Sequence, residues 1–294
     1  MALPNTIIIG AQKAGSTSLY DWIGQHPDVY APKLVKDTHF FSNDELYNKG
    51  LHQLANFYPK HQGEKIVLAG DVNYIFHDFV AKRLYDFDKD LKLILILRNP
   101  VERAKSAYYY FKQHLQEEQT FEKAIEDELS GKLKTVKQQA NFAYLSHGYY
   151  YEQLQVYLQY FKASQVKILI FEQLINDKER HLKSCFSFLE IDPTFIPTWE
   201  HKNKTGEVKL KWLSSFFIKK NNIKEWLKKW TPYNRIFTPR IKAQIINIVN
   251  RYNTKAHFKN PDLKIPNEIL EKYRAERKLL SHYLKIDLTK YWEI

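Results

Sequence analysis

The chain has 294 residues, 44% of them hydrophobic, with 45 lysines and arginines against 33 aspartates and glutamates, giving a formal net charge of +12. That length and apolar content exclude a disordered chain and predict one domain over 1–294 with its own core. The charge predicts an anionic partner, without choosing among a polyanionic nucleotide, an acidic polysaccharide, nucleic acid and a membrane surface. The single cysteine, Cys185, sits in the apolar run SCFSFLEI, so a disulfide framework or thiolate metal site within one chain is excluded and a small core residue is expected. No secretory signal or membrane span is legible, and the expectation is a soluble, cytoplasmic protein of a reducing compartment.

In chain order, residues 6–10 form an apolar run that predicts a strand, GAQKAGSTS (10–18) follows as a glycine-bearing loop, and 16–25 reads as a helix. Further β-branched, apolar runs predict strands at 65–69 (KIVLA), 91–97 (LKLILIL) and 166–171 (VKILIF), each followed by a helical pattern. Helices are expected at 78–87, 100–113, 121–129, 149–161 and 178–189, and from 208 onward the pattern is helical and lysine-rich. Near-continuous apolar strands between helices predict an α/β fold: a P-loop-like central parallel sheet flanked by helices, with a helical C-terminal part.

The loop almost spells the phosphate-binding GxxxxGK[ST]. Gly10 and Gly15 have that spacing, but Ser16 stands where the lysine belongs and the lysine is at Lys13. A triphosphate with magnesium needs the missing lysine. Lys13 inside the loop instead suits a bridging or leaving oxygen, while the N–H groups and hydroxyls of Ser16, Thr17 and Ser18 suit a phosphate at the helix start, with no metal. The plain alternative is an ordinary strand-to-helix turn in which Ser16 or Thr17 is the N-cap. The strand at 91–97 ends in Arg98-Asn99-Pro100, placing an arginine where ligands of open α/β sheets bind, and Ser106 follows about two turns into the next helix. Arg98 and Ser106 can share one anion.

GAQKAGSTSL resembles the 5′-phosphosulfate loop of sulfotransferases that use 3′-phosphoadenosine 5′-phosphosulfate (PAPS), and LRNPVERAKSAYYYF resembles their 3′-phosphate motif. KDTHFF (36–41), HGYYYEQLQVYLQYF, ILIFEQLINDKERHLKSCFSFLEI and PNEILEKYRAERKLLSHYLKIDLTKYW extend the resemblance over nearly the whole chain, in a form closer to prokaryotic and heparan-type enzymes than to arylsulfotransferases. The resemblance implies that PAPS donates a sulfuryl group to a hydroxyl acceptor, by inference a saccharide, leaving the bisphosphate PAP. It also implies that Lys13, Ala14, Gly15, Ser16, Thr17 and Ser18 hold the 5′ end, and that Arg98 and Ser106 grip the 3′-phosphate.

Attack by a hydroxyl needs a proton acceptor. Asp71, in GDVNY after the strand at 65–69, is expected as that base, being similar to the family's glutamate-bearing segment but one methylene shorter. His39, in KDTHFF, is the rival, its plain reading being a satisfied histidine beside Phe40 and Phe41. Lys36 is expected near the sulfonate or acceptor. HKNKTG (201–206) falls where related enzymes close a loop over the nucleotide, which brings in Lys202 and Lys204. From 202 to 229 there are nine lysines against two glutamates, interleaved with aromatics: a face for an acidic glycan or an anionic membrane surface, or an amphipathic core helix with a solvated side. The reading thus assigns carbohydrate sulfation and no nucleic acid. Sulfation of a lipid or secondary-metabolite hydroxyl, a P-loop small-molecule kinase with Asp71 on magnesium, and a non-catalytic polyanion binder remain as alternatives.

Overall fold

Five short aliphatic runs build one parallel sheet. In the computed structural model, which describes residues 2–32, 36–114, 116–199, 207–208, 254–255 and 263–294, these are β1 (Thr6–Gly10), β2 (Val29–Tyr30), β3 (Ile66–Gly70), β4 (Lys92–Leu97) and β5 (Val166–Ile170). Their order across the sheet is β2-β3-β1-β4-β5. Every residue of β1, and all of β4 after Lys92, is buried, as expected of strands covered on both faces. The register places Thr6 opposite Leu68 of β3 and Lys92 of β4, so β1 lies at the centre.

The helices between these strands are α1 (Ser16–Ile23), α2 (Asp44–Tyr47), α3 (Leu51–Ala55), α4 (Asp78–Phe87), α5 (Pro100–Gln113), α6 (Phe121–Leu129), α7 (Val136–Phe142) and α8 (Tyr150–Leu158). After β5 come α9 (Phe171–Asn176) and α10 (Lys178–Leu189), and α11 (Asn267–Leu284) closes the chain. Local chemistry starts several of them. Asn43 accepts from the Leu46 N–H, Thr135 and Gln138 form a capping box on α7, and Asp177 caps α10 through the Arg180 N–H. Cys185 of α10 is fully buried, as expected of a core residue, and burial pushes its thiol up to about 12.

The expected α/β class is the observed one, and α4, α5, α6 and α10 have the expected limits. Elements absent from the sequence reading, β2, α2, α3, α7 and α9, are two to seven residues long, too short for a period to show. Phe171, expected as the last residue of a strand, is the first of α9. Beyond 208 the expectation of unbroken helix is corrected: Thr254–Lys255 pairs antiparallel with Glu207–Val208. The lysine-rich stretch at 209–229 lies outside the described residues. No helix among the described residues is long and apolar enough to cross a membrane.

The chain divides into two compact units, one of residues 1–107, 125–201 and 265–294, the other of 108–124 and 202–264. Within the first, α11 is fastened to the sheet's helices by buried polar groups. The Tyr273 hydroxyl donates to the Leu145 carbonyl at 2.7 Å, and the Glu276 carboxylate receives the first N–H groups of α8, from Tyr151 at 2.6 Å and Glu152 at 3.3 Å. A Cβ added at Gly148 would stand 2.8 Å from the Tyr273 ring and 2.9 Å from Pro100, both held by their surroundings. Gly148→Ala is therefore expected to lower stability by about 1–3 kcal/mol in urea unfolding, through overpacking at this junction.

Candidate active site

Strand order fixes where a ligand can lie. The chain leaves β1, returns on its β3 side, then crosses to β4 on the other side, so the carboxyl ends of β1 and β4 flank a crevice at the point where the order reverses. The loop from β1 is drawn across this edge by the Ala11 N–H, which donates to the Ile96 carbonyl of β4 at 2.8 Å. Lys13 adopts φ 62° and Gly15 φ 92°, turning the backbone into the start of α1. Gly15 is the N-cap and no side chain caps the helix, so the reading of Ser16 or Thr17 as N-cap is corrected. A left-handed turn hard against the Phe171 ring, 2.9 Å from where a Cβ would stand, admits only glycine there. Ala14 and Ser16 are buried, Ser18 is half-buried, and Thr17 is exposed. The uncapped N–H groups at the start of α1 thus face an end that favours anions.

Arg98 follows β4 directly. Its Nη1 donates to the Lys13 carbonyl at 3.2 Å, and its guanidinium carbon lies 5.1 Å from the centroid of the Phe171 ring. The turn beneath it is held from several sides. The Arg98 carbonyl accepts from the Tyr150 hydroxyl at 2.9 Å, and the Asn99 N–H donates to Glu172 Oε1 at 2.9 Å. Glu172 Oε2 receives the Trp292 indole N–H at 2.9 Å, while the Asn99 side chain caps α5 through the Val101 and Glu102 N–H groups. Ser106 lies half-buried on that helix. Burial, then Arg98 and Lys36, bring the Lys13 ammonium down to about 8, and burial also lowers the Arg98 guanidinium.

On the β3 side, Asp71 follows the strand and is 1% exposed. Its Oδ2 receives the His39 backbone N–H at 2.9 Å and His39 Nδ1 at 2.8 Å, and its Oδ1 receives the Asn73 N–H at 3.0 Å. His39 keeps half its side chain exposed. Its hydrogen bond to Asp71 raises the imidazole above its ordinary 6.5 against the opposing effect of burial. The Asp71 carboxylate is therefore turned inward, against the His39 and Asn73 N–H groups, and holds the His39 imidazole through Nδ1. Asp37, whose side chain is 36% exposed, holds the Lys36 ammonium at 2.9 Å and receives the Val72 N–H at 3.1 Å. Gln12 in the β1 loop donates to Asn73 Oδ1 at 3.3 Å and to the Ala140 carbonyl at 2.8 Å, joining this side to the loop.

The sequence-predicted loop, Arg98, Asp71, His39 and Lys36 thus come to one edge of the sheet, and Ser106 is on the helix that Arg98 leads into. Lys202 and Lys204 lie outside the described residues. Asp37, inside KDTHFF, carries no signal of its own in the sequence, where a carboxylate next to Lys36 looks like a surface pair. Phe171 and Glu172 had been absorbed into a strand and a helix pattern, and only their contacts with Gly15, Arg98 and Asn99 mark them.

Comparison with known proteins agrees with this geometry. The model of the sulfotransferase domain family matches residues 3–248. The chain is 29% identical over 199 residues to human heparan sulfate glucosamine 3-O-sulfotransferase 5, covering 65% of this chain and 54% of that one. It is also 29% identical over 204 residues to human heparan sulfate glucosamine 3-O-sulfotransferase 3B1, covering 69% and 50%. The chain thus spans about half the length of the curated relatives it matches. A solved sulfotransferase from Alicyclobacillus acidocaldarius has the same fold, with a TM-score of 0.69 at 24% identity over 99% of both chains.

The Asp71–His39 contact makes a checkable prediction. In Asp71→Asn the imidazole loses the largest influence that raises it, Asp37 still raises it, and burial and Lys36 still lower it, so its NMR titration midpoint should fall from its wild-type position above 6.5.

Proposed function

The chain belongs to the sulfotransferase domain family, and from that premise we propose that it transfers a sulfuryl group from PAPS to a hydroxyl of a carbohydrate. One observation carries the nucleotide half of this reading: Arg98 is hydrogen-bonded to the carbonyl of Lys13, so cationic groups suited to two separate anionic ends stand side by side. A nucleotide with one monophosphate, such as 5′-AMP, would engage only one of them. When bound, PAPS supplies an activated sulfuryl group on its 5′-phosphate. The α1 N-terminus with Ser16, Thr17 and Ser18 would hold that phosphate, and Arg98 with Ser106 the 3′-phosphate. Lys13 would neutralise charge on the departing oxygen, and the reading assigns no metal to that task.

The acceptor class comes from the heparan sulfate in the names of the two human relatives and fits the chain's +12 charge. Its hydroxyl oxygen attacks sulfur as the bond from sulfur to the 5′-phosphate oxygen breaks, and the hydroxyl proton passes to a base. Of the two carboxylates described on the β3 side of this edge, Asp37 is the one with exposed surface, and we assign it that proton. Lys36, bound to Asp37, would meet the sulfonate or the acceptor. A second reading rests on the outward-facing His39 backed by Asp71, with His39 as the base. Neither the sugar nor the position sulfated is assigned.

Adenosine 3′,5′-bisphosphate should bind at least about tenfold more tightly than 5′-AMP by calorimetry, and Arg98→Ala should erase most of that difference while sparing AMP. Equal affinities in the wild type would remove the role given to Arg98.

Asp37→Asn should cut kcat by about a hundredfold or more with the bisphosphate still bound. An acid limb lying above 6.5 that moves downward in Asp71→Asn would assign the proton to His39 instead.

A further inference from the structure

One aromatic ring touches both ends of the proposed nucleotide site. Phe171 begins α9 where β5 ends. The edge of its ring lies 2.9 Å from where a Cβ on Gly15 would stand, and Gly15 is the residue from which α1 starts. The Arg98 guanidinium lies over the same ring, 5.1 Å from its centroid. The next residue, Glu172, fixes the backbone that carries Arg98 by accepting the Asn99 N–H, and is itself fixed by the Trp292 indole. Two consecutive side chains therefore set Arg98 from two directions, one through its cation and one through its main chain.

The physical demand is specific. A half-buried guanidinium has lost part of its hydration, and an aromatic face returns attraction to a cation without adding a negative charge that would compete with a phosphate. A carboxylate in the same place would neutralise Arg98 and repel the ligand. An aliphatic side chain would fill the volume, but it offers no quadrupole and more rotamers. The ring is also flat and rigid, so its contact with the Gly15 turn and its contact with Arg98 are held at one separation.

Resting on the reading of Arg98 as the 3′-phosphate group, we propose that Phe171 is a positioning residue of the donor site. Its ring gauges the separation between the α1 start and the Arg98 guanidinium, and so sets selectivity for a nucleotide phosphorylated at both the 5′ and 3′ ends. Phe171 acts through Arg98, so 5′-AMP, which lacks the second phosphate, should be insensitive to it.

The test compares adenosine 3′,5′-bisphosphate with 5′-AMP by calorimetry on the full chain. Phe171→Leu should lose about tenfold in bisphosphate affinity with AMP changed by no more than about twofold, and Phe171→Tyr, which keeps the aromatic face, should restore the wild-type ratio. If Phe171→Leu does not show the wild-type thermal transition, Phe171→Met is put through the same comparison. An unchanged ratio, a parallel loss of both nucleotides, or a tyrosine variant as poor as the leucine one each overturns the inference. A wild type that discriminates beside a leucine variant that does so equally removes only the gauge. A wild type that binds both nucleotides alike removes the Arg98 reading and the gauge with it.

Discussion

The hydrogen bond from Arg98 to the Lys13 carbonyl ties two turns that leave neighbouring strands, and the arrangement of the site depends on it. It adds to the bond from the Ala11 N–H to the Ile96 carbonyl, which already draws the loop after β1 toward β4. The Arg98 bond is possible because β1 and β4 pair directly, with Ile8 opposite Ile94. It is useful because the carboxyl ends of both strands point the same way. The chain must cross from the β3 side of β1 to its β4 side, and that topological step leaves the space in which a ligand meets both turns.

A buried carboxylate does the equivalent work on the other side of β1. Asp71 accepts N–H groups from both ends of a short path through His39 and Asn73. The 36–39 segment also contains two non-glycine residues at positive φ, Asp37 at 61° and His39 at 56°, a conformation that the Asp71 bonds and the Asp37–Val72 contact help to hold. Buried polar groups with complete partners are rigid, and rigidity is what an in-line displacement asks of the groups flanking its reacting atoms. Under the proposed reading, Asp71 would serve the chemistry by fixing the neighbours that have exposed surface.

Much of this was legible in the residues. β1, β4 and the helices after them show as continuous apolar runs and amphipathic periods, and the loop and Arg98 show as motifs, because chain-local chemistry fixes them. The role of Asp71 was not legible: an aspartate after a strand looks the same whether it faces solvent or is enclosed by His39 and Asn73, and only tertiary contact decides. Asp37 was hidden for the converse reason, since a carboxylate next to Lys36 reads as a surface pair until the fold brings Val72 to it. Phe171 was lost because one residue of strand or helix is within the error of any boundary.

The electrostatics of the loop show why the family signature departs from a lysine-bearing phosphate loop. Lys13, Lys36 and Arg98 are close enough that the second and third lower the first, an arrangement that works against folding. A fold gains nothing from crowding cations at one sheet edge, and ordinary surfaces disperse them. Their convergence is intelligible if a polyanion completes the site and replaces mutual repulsion with charge-assisted bonds. A lysine at position 16, inside the first turn of α1, would add a fourth cation where the helix N-terminus already presents uncapped N–H groups. Under the proposed reading, serine there would leave those groups to the phosphate, and lysine at 13 would meet the oxygen that departs.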